Sequence, residues 1–203
     1  MTKKHKMALA GALIRLYRCI SRRPPPVPAA IATDDFRSIA IYSTTALGDL
    51  MFNTPAIHQL RLRYPQAQLI LIVHRKFAAL VRGYTDVDQV LCWDGRFVTL
   101  FGCVRQLRRL RPELAVILHS RTPYDVMSAV FSGARHILRD DPVAVGQVPP
   151  LAEWLSGWSA AGFTDHLIRR KLAMLSALGC REDQLEMQVP CQVDRTRFAQ
   201  PGM

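Results

Sequence analysis

Metal-binding and disulfide patterns are missing from this chain. Its five cysteines (Cys19, Cys92, Cys103, Cys180 and Cys191) are scattered, and none forms a C-x-x-C pair. No apolar run reaches about 18 residues, so no segment reads as a spanning helix. A Gly-x-Gly-x-x-Gly turn and a Gly-x-x-x-x-Gly-Lys-Ser/Thr loop are both lacking, which counts against a dinucleotide-dependent dehydrogenase and a P-loop NTPase. There is no serine nucleophile elbow, and no close histidine pair suggests a metal site. Acidic residues are scarce: none precedes Asp34, and 16 face 27 lysines and arginines. The basic residues are not interleaved with stacking aromatics, so no nucleic-acid partner is expected.

What remains is a basic, core-forming chain. Of 203 residues, 49% are hydrophobic, enough for one domain with extra segments. Cys92 and Cys103 fall within apolar patterns and are expected to be buried thiols. The net charge of +11 is uneven, because Lys3, Lys4, Lys6, Arg15, Arg18, Arg22 and Arg23 all precede the first acid. A cationic segment of this kind attracts phosphate, whether on a membrane or on another anionic ligand. A second cluster, Arg105, Arg108, Arg109 and Arg111, reads as a solvated helix face.

Residues 7–20 fit an amphipathic helix with Leu9, Leu13, Leu16 and Ile20 on one face. Arg15 and Arg18 cut the apolar run and no small-x-small cleavage site follows, against a signal peptide. The helix either lies on an anionic bilayer or docks its leucine face on the protein's own core. The proline run at 24–28 then stiffens a linker. The expected divisions are a basic helix over 1–23, a linker over 24–37, a domain over 38–180 and a tail over 181–203.

From Ser38 onward the pattern alternates. Strand-like runs cover 38–43, 68–73, 88–93, 114–119 and 135–138; helical patterns cover about 50–64, 76–83, 97–110, 123–132 and 165–178. The strands are continuously apolar, as in a sheet covered on both faces. Repeated β-α units with short connections predict a parallel, Rossmann-like α/β domain. Pro55 implies a kink in the first helix of the domain or a late start capped by Asn53. Gly179 is expected to end the last helix.

In such a sheet the loops after the strands share one rim, where ligands bind. Here the loops carry Ser43, Thr44, Thr45 and Asp49; His74, Arg75 and Lys76; Asp94 and Arg96; His119, Ser120 and Arg121; and Arg139, Asp140 and Asp141. Cations with a carboxylate suit an anionic, hydroxyl-bearing ligand such as an acidic or phosphorylated sugar. The candidate ligand-binding residues are Thr44, Thr45, Arg75, Lys76, Arg96, Ser120 and Arg121. Asp49 either caps a helix or serves as a general base, which must reach the proton it removes.

The run Ile39-Ala40-Ile41-Tyr42-Ser43-Thr44-Thr45-Ala46-Leu47-Gly48-Asp49, with Asn53-Thr54-Pro55-Ala56-Ile57, resembles the ADP-heptose:lipopolysaccharide heptosyltransferases, glycosyltransferase family 9. Leu60 to Pro65, Phe77 to Gly83, Asp86 to Val90, Asp165-His166-Leu167 and Leu175 to Gly179 extend the resemblance over about 38–180. It implies the N-terminal half of a GT-B enzyme, which inverts the anomeric centre while moving heptose from an ADP-sugar to the lipopolysaccharide inner core. By the same resemblance Asp49 is the base that deprotonates the acceptor, and no cofactor or metal is required. The partners implied are a lipid-linked anionic oligosaccharide acceptor and the inner membrane surface, with the protein cytoplasmic and peripheral on the inner face. An ADP-sugar donor is expected only if a second domain is supplied, since residues 190–203 are too few for one; the chain alone is expected to be inactive. The alternative is a non-catalytic Rossmann-like module that binds anionic glycan or membrane.

Overall fold

The computed structural model describes residues 2–22, 31, 35–141, 147–159 and 166–189. The proline run at 24–28, Asp165 and the tail from residue 190 lie outside the described residues. Six parallel strands form one sheet: β1 Ser38–Ser43, β2 Gln68–Val73, β3 Gln89–Cys92, β4 Leu114–His119, β5 His136–Arg139 and β6 Gly157–Trp158. Their order is β3-β2-β1-β4-β5-β6, the Rossmann-like arrangement predicted from the alternating pattern.

The helices are α1 Lys3–Ser21, α2 Leu47–Arg63, α3 Phe97–Leu110, α4 Tyr124–Ser132 and α5 Leu167–Leu175. Alternate strand residues serve opposite faces. Ile39, Ile41, Leu69 and Leu71 share a core with Leu50, Ile57 and Leu60 of α2 and with Ile168, Leu172 and Leu175 of α5. Ala40, Tyr42, Ile70 and Ile72 share the other with Leu100, Val104 and Leu107 of α3, Val126 and Val130 of α4, and Ala10 and Ile14 of α1. Both sides being covered, every β1 residue is buried, which is why the strands are apolar throughout.

Several expectations need correction. The helix expected over 76–83 is a single 3₁₀ turn, Arg75–Phe77, followed by further turns. Phe77, Leu80 and Val81 reach the core at helical spacing, but through successive bonds such as Leu80 N–H to Phe77 O, 3.0 Å. Cys92 is exposed because it ends β3, the edge strand; Cys103 is buried as expected. A sixth strand, β6, is only two residues long and carries no periodicity to read.

α2 starts at Leu47 and runs through Pro55. Proline removes the N–H that would have reached Met51 O, and Thr54 Oγ1 donates to that carbonyl instead, at 2.8 Å. Asn53 is no cap; it is fully buried and its amide donates to Ser43 Oγ at 2.8 Å. α5 stops at Leu175, a 3₁₀ turn covers Ser176–Leu178, and Gly179 closes the helix at φ +78° as predicted.

α1 docks, but not through its leucine stripe. Ala10 and Ile14 are buried, Tyr17 packs edge-on against Phe131 at 4.9 Å, and Arg15 pairs with Glu153 at 2.8 Å. Leu9, Leu16 and Ile20 face outward, 50%, 58% and 74% exposed, while Leu13 is partly covered. The arginines of α3 are solvated as expected, except that Arg108 bridges to Phe131 O at 2.8 Å and to the Tyr17 hydroxyl at 3.1 Å.

Candidate active site

β1 and β4 are neighbours, yet β1 leads into α2 on one side of the sheet and β4 into α4 on the other. Such a divergence opens a crevice beyond the strand ends, the place where ligands bind in open α/β sheets. The pairing also slips by one residue there: His119, rather than Leu118, stands opposite Ser43. An irregularity of this kind re-aims a side chain at a strand end.

Asp49 enters the crevice from the first turn of α2. Its Oδ2 accepts from the Thr45 hydroxyl at 2.5 Å and from the Ala46 N–H at 3.2 Å. Its Oδ1 lies 3.5 Å from His119 Nδ1. The carboxylate therefore does cap the helix, and one oxygen remains turned toward the imidazole. Across the crevice Thr44 N–H donates to His119 O at 2.9 Å, and Thr44 Oγ1 lies 2.7 Å from Ser120 Oγ. The turn after β3 leans over this pair. A Cβ at Gly95, whose φ is +70°, would meet Thr44 Oγ1 at 3.2 Å and Arg121 at 3.4 Å.

A layer of buried charge lies beside the pair. Asp140 accepts from Arg170 Nε at 2.7 Å and Nη2 at 2.8 Å, and from Ser159 Oγ at 2.9 Å. Arg139 is 3.2 Å from the fully buried Asp125 and also bonds Asp141 and Thr122. Lys171 is completely buried, and among the described residues its Nζ has no hydrogen-bond partner. Burial pushes the Lys171 pKa down; Asp140 and Asp49 oppose this, and Arg170 adds to it. His119 is also held below its usual 6.5, first by burial and then by Lys171 and Arg170, against the pull of Asp49 and Asp140. At neutral pH the site thus contains a neutral imidazole next to a carboxylate, an arrangement able to take one proton from a ligand hydroxyl.

The structure brings together Asp49, Thr44, Thr45, Ser120 and Arg121 of the expected residues, with Arg96 on the overhanging turn. Arg96 is exposed and 3.5 Å from Asp94. Arg75 and Lys76 stand exposed on the turn after β2; among the described residues no hydrogen bond or ion pair joins their side chains to the cluster. Arg139 and Asp140 are interior rather than ligand-facing.

Sequence reasoning placed His119 on the rim without choosing it, and passed over Lys171. The latter had a signal: Ile168, Lys171, Leu172 and Leu175 fall on one stripe of α5, so a lysine occupies a core position. Among the described residues no group of three His, Cys, Asp or Glu side chains is placed to hold a metal, and no helix is long and apolar enough to cross a membrane. A cleft of about 1080 Å³ lies at the starts of β4 and β5, beside Arg18, Arg111 and His136, and none of the rim groups lines it.

No protein-family model matches the sequence, and no curated protein matches it. Solved structures do share its fold. A glycosyl transferase family 9 protein from Veillonella parvula DSM 2008 superposes with a TM-score of 0.63 at 16% identity, over 84% of this chain and 49% of that one. E. coli heptosyltransferase WaaC, solved with ADP-2-deoxy-2-fluoro heptose, gives 0.57 at 16% identity, over 75% and 51%. E. coli ADP-heptose lps heptosyltransferase II gives 0.58 at 15% identity, over 80% and 50%. The chain therefore spans about half the length of these structures and has the Rossmann-like fold of that half.

Proposed function

We propose that this chain is the acceptor-holding half of a glycosyltransferase of the heptosyltransferase type. The observation that carries the reading is the meeting of Asp49 and His119 at the β1/β4 crevice, roofed by hydroxyls and exposed cations. It is supported by the shared fold, and by the ADP and ADP-2-deoxy-2-fluoro heptose bound to WaaC. In this reading a second domain grips the nucleotide sugar. The acceptor hydroxyl loses its proton to Asp49 as its oxygen bonds to the anomeric carbon. The bond from that carbon to phosphate breaks, and ADP leaves with the electron pair. Inversion follows from this single in-line displacement. Thr45 and Ser120 orient the acceptor, the buried Thr44 holds Ser120 in place through their 2.7 Å contact, and Arg121, Arg96, Arg75 and Lys76 draw in the acceptor's phosphates and carboxylates.

The acceptor is inner-core lipopolysaccharide, and the test starts with binding. Calorimetry of the 203-residue chain with a phosphorylated inner-core oligosaccharide is expected to show association that weakens with salt. Arg121→Ala is expected to weaken it about tenfold, the scale of one charge-assisted hydrogen bond. No association with such an oligosaccharide would sink the acceptor assignment.

The outward stripe of α1 supports a peripheral membrane location, which in this reading is the cytoplasmic face of the inner membrane. Leu9, Leu16 and Ile20 are exposed on a helix that also exposes Lys4 and Lys6 and ends at the exposed Arg22. Apolar insertion and attraction to anionic lipid then act together. Because neither residue is packed, L16E/I20E leaves the core alone. It is expected to reduce co-sedimentation with phosphatidylglycerol vesicles at least about tenfold, since burying each side chain contributes of order 1.5–3 kcal/mol. Equal binding by the variant, or equal binding to uncharged vesicles, refutes the location.

A further inference from the structure

The cleft at the starts of β4 and β5 collects guanidinium groups with little acid to balance them. Arg18, Arg108, Arg111 and Arg135 line it, and among the described lining residues Glu113 is the one acid. One oxygen of Glu113 already accepts from the Arg37 N–H, at 2.8 Å. Two of the arginines are fixed by the protein itself. The Arg18 guanidinium lies 4.9 Å from the centre of the Trp154 ring, and Arg108 bonds Phe131 O and the Tyr17 hydroxyl. Arg111 and Arg135 are exposed, and among the described residues no hydrogen bond or ion pair engages either side chain. Arg111 also closes α3 at φ +49°, a left-handed position that glycine takes more easily, as Gly133 does at the end of α4. Helix ends account for only part of this charge. α1, α3 and α4 all finish at the cleft, with Ser21, Arg111 and Gly133 in its lining. Each C-terminus presents roughly half a negative charge, so together they offset about one and a half of the positive charges. Glu113 offsets one more. The remaining excess of about one and a half is close to the charge of roughly −1.5 to −2 on a phosphate monoester at pH 7.

We propose that this cleft binds a phosphate monoester, with Arg111 and Arg135 taking its oxygens and Arg18 and Arg108 forming the fixed wall behind. The planar fork of a guanidinium matches two phosphate oxygens at once. At about 1080 Å³ the cleft also has room for the body that carries the phosphate. It is a second site, separate from the crevice of Asp49 and His119. β4 runs six residues from Leu114, next to the lining residue Glu113, to His119 at the rim. That is about 20 Å at the rise of a strand, so neither site depends on the other. The phosphate belongs either to a soluble ester or to the headgroup of a lipid beside α1, whose exposed Leu16 and Ile20 flank the lining residues Tyr17 and Arg18.

Amide NMR of the isotope-labelled 203-residue chain, titrated with inorganic phosphate at constant ionic strength, tests the site. Saturable shifts are expected at Gly133 and Ala134, which line the cleft. R111Q/R135Q is expected to weaken the titration about tenfold or more, the scale of a charge-assisted hydrogen bond. R105Q/R109Q removes the same charge from exposed positions of α3 outside the lining, and is expected to change it less than about twofold. All four side chains are exposed, so neither pair disturbs the core. Co-sedimentation with phosphatidylcholine vesicles containing phosphatidic acid then gives the source. A difference between the two pairs in the phosphate titration alone assigns a soluble ester, and a difference that extends to the vesicles assigns a lipid headgroup. No difference between the pairs with either probe overturns the site: the arginines then act only through net charge or as helix caps. Phosphate shifts confined to rim amides such as that of Gly95, with vesicle binding equal in both pairs, overturn it as well and leave the reading of the rim standing.

Discussion

Arg170→Met is expected to lower the unfolding free energy by about 3–5 kcal/mol, the range for a buried ion pair deprived of one partner. Arg170 and Asp140 are nearly sealed from solvent, with side-chain exposures of 6% and 2%, and the guanidinium bonds both carboxylate oxygens. The variant leaves Asp140 charged, with Ser159 as its remaining side-chain hydrogen-bond donor among the described residues. The double variant R170M/D140N is expected to recover most of the loss, because no charge is then stranded and the amide oxygen of the new side chain still accepts from Ser159. Urea midpoints of the two variants and the wild type decide this. A double variant no more stable than R170M would show that the arginine matters for its packing rather than for its pairing.

The second large effect concerns turnover. In a complete form carrying a donor-binding domain, Asp49→Asn is expected to cut kcat by roughly a hundredfold or more and to leave the acceptor KM nearly unchanged. Asparagine keeps an oxygen for Thr45 and Ala46, so the first turn of α2 retains its bonds while the proton acceptor is lost. Steady-state kinetics with ADP-heptose and a lipopolysaccharide acceptor separates the two quantities. Normal turnover by the asparagine variant reduces Asp49 to a helix cap.

The fold is legible where burial imposes a pattern. β1, β2 and β4 fall where their apolar runs lie, because each is covered on both sides. The pattern misleads where apolar spacing serves turns rather than a helix, as at Phe77, Leu80 and Val81. Pro55 reads as a kink or a late start because the local compensation, the Thr54 hydroxyl donating to Met51 O, has no signature in the apolar pattern. At the site, Asp49, Thr44 and Ser120 are readable from their place after strands. His119 becomes prominent only through the register slip between β1 and β4, which depends on two segments about 75 residues apart and has no local signature. For α1, the pattern locates a real stripe but not the face that docks. Ala10, Ile14 and Tyr17 look sparse beside Leu9, Leu13, Leu16 and Ile20, yet the sparser face fits closely against α4.

That two-sidedness changes what a shortened chain would report. Removing residues 1–22 strips away the outward leucines and, at the same time, unroofs Phe131, against which Tyr17 packs, and Trp154, over which the Arg18 guanidinium lies. The shortened protein would trade one greasy surface for another on a different flank, and self-association would follow from the new one. Loss of lipid binding by such a deletion is therefore a compound result, whereas glutamates at Leu16 and Ile20 change only the side of the helix that already meets water.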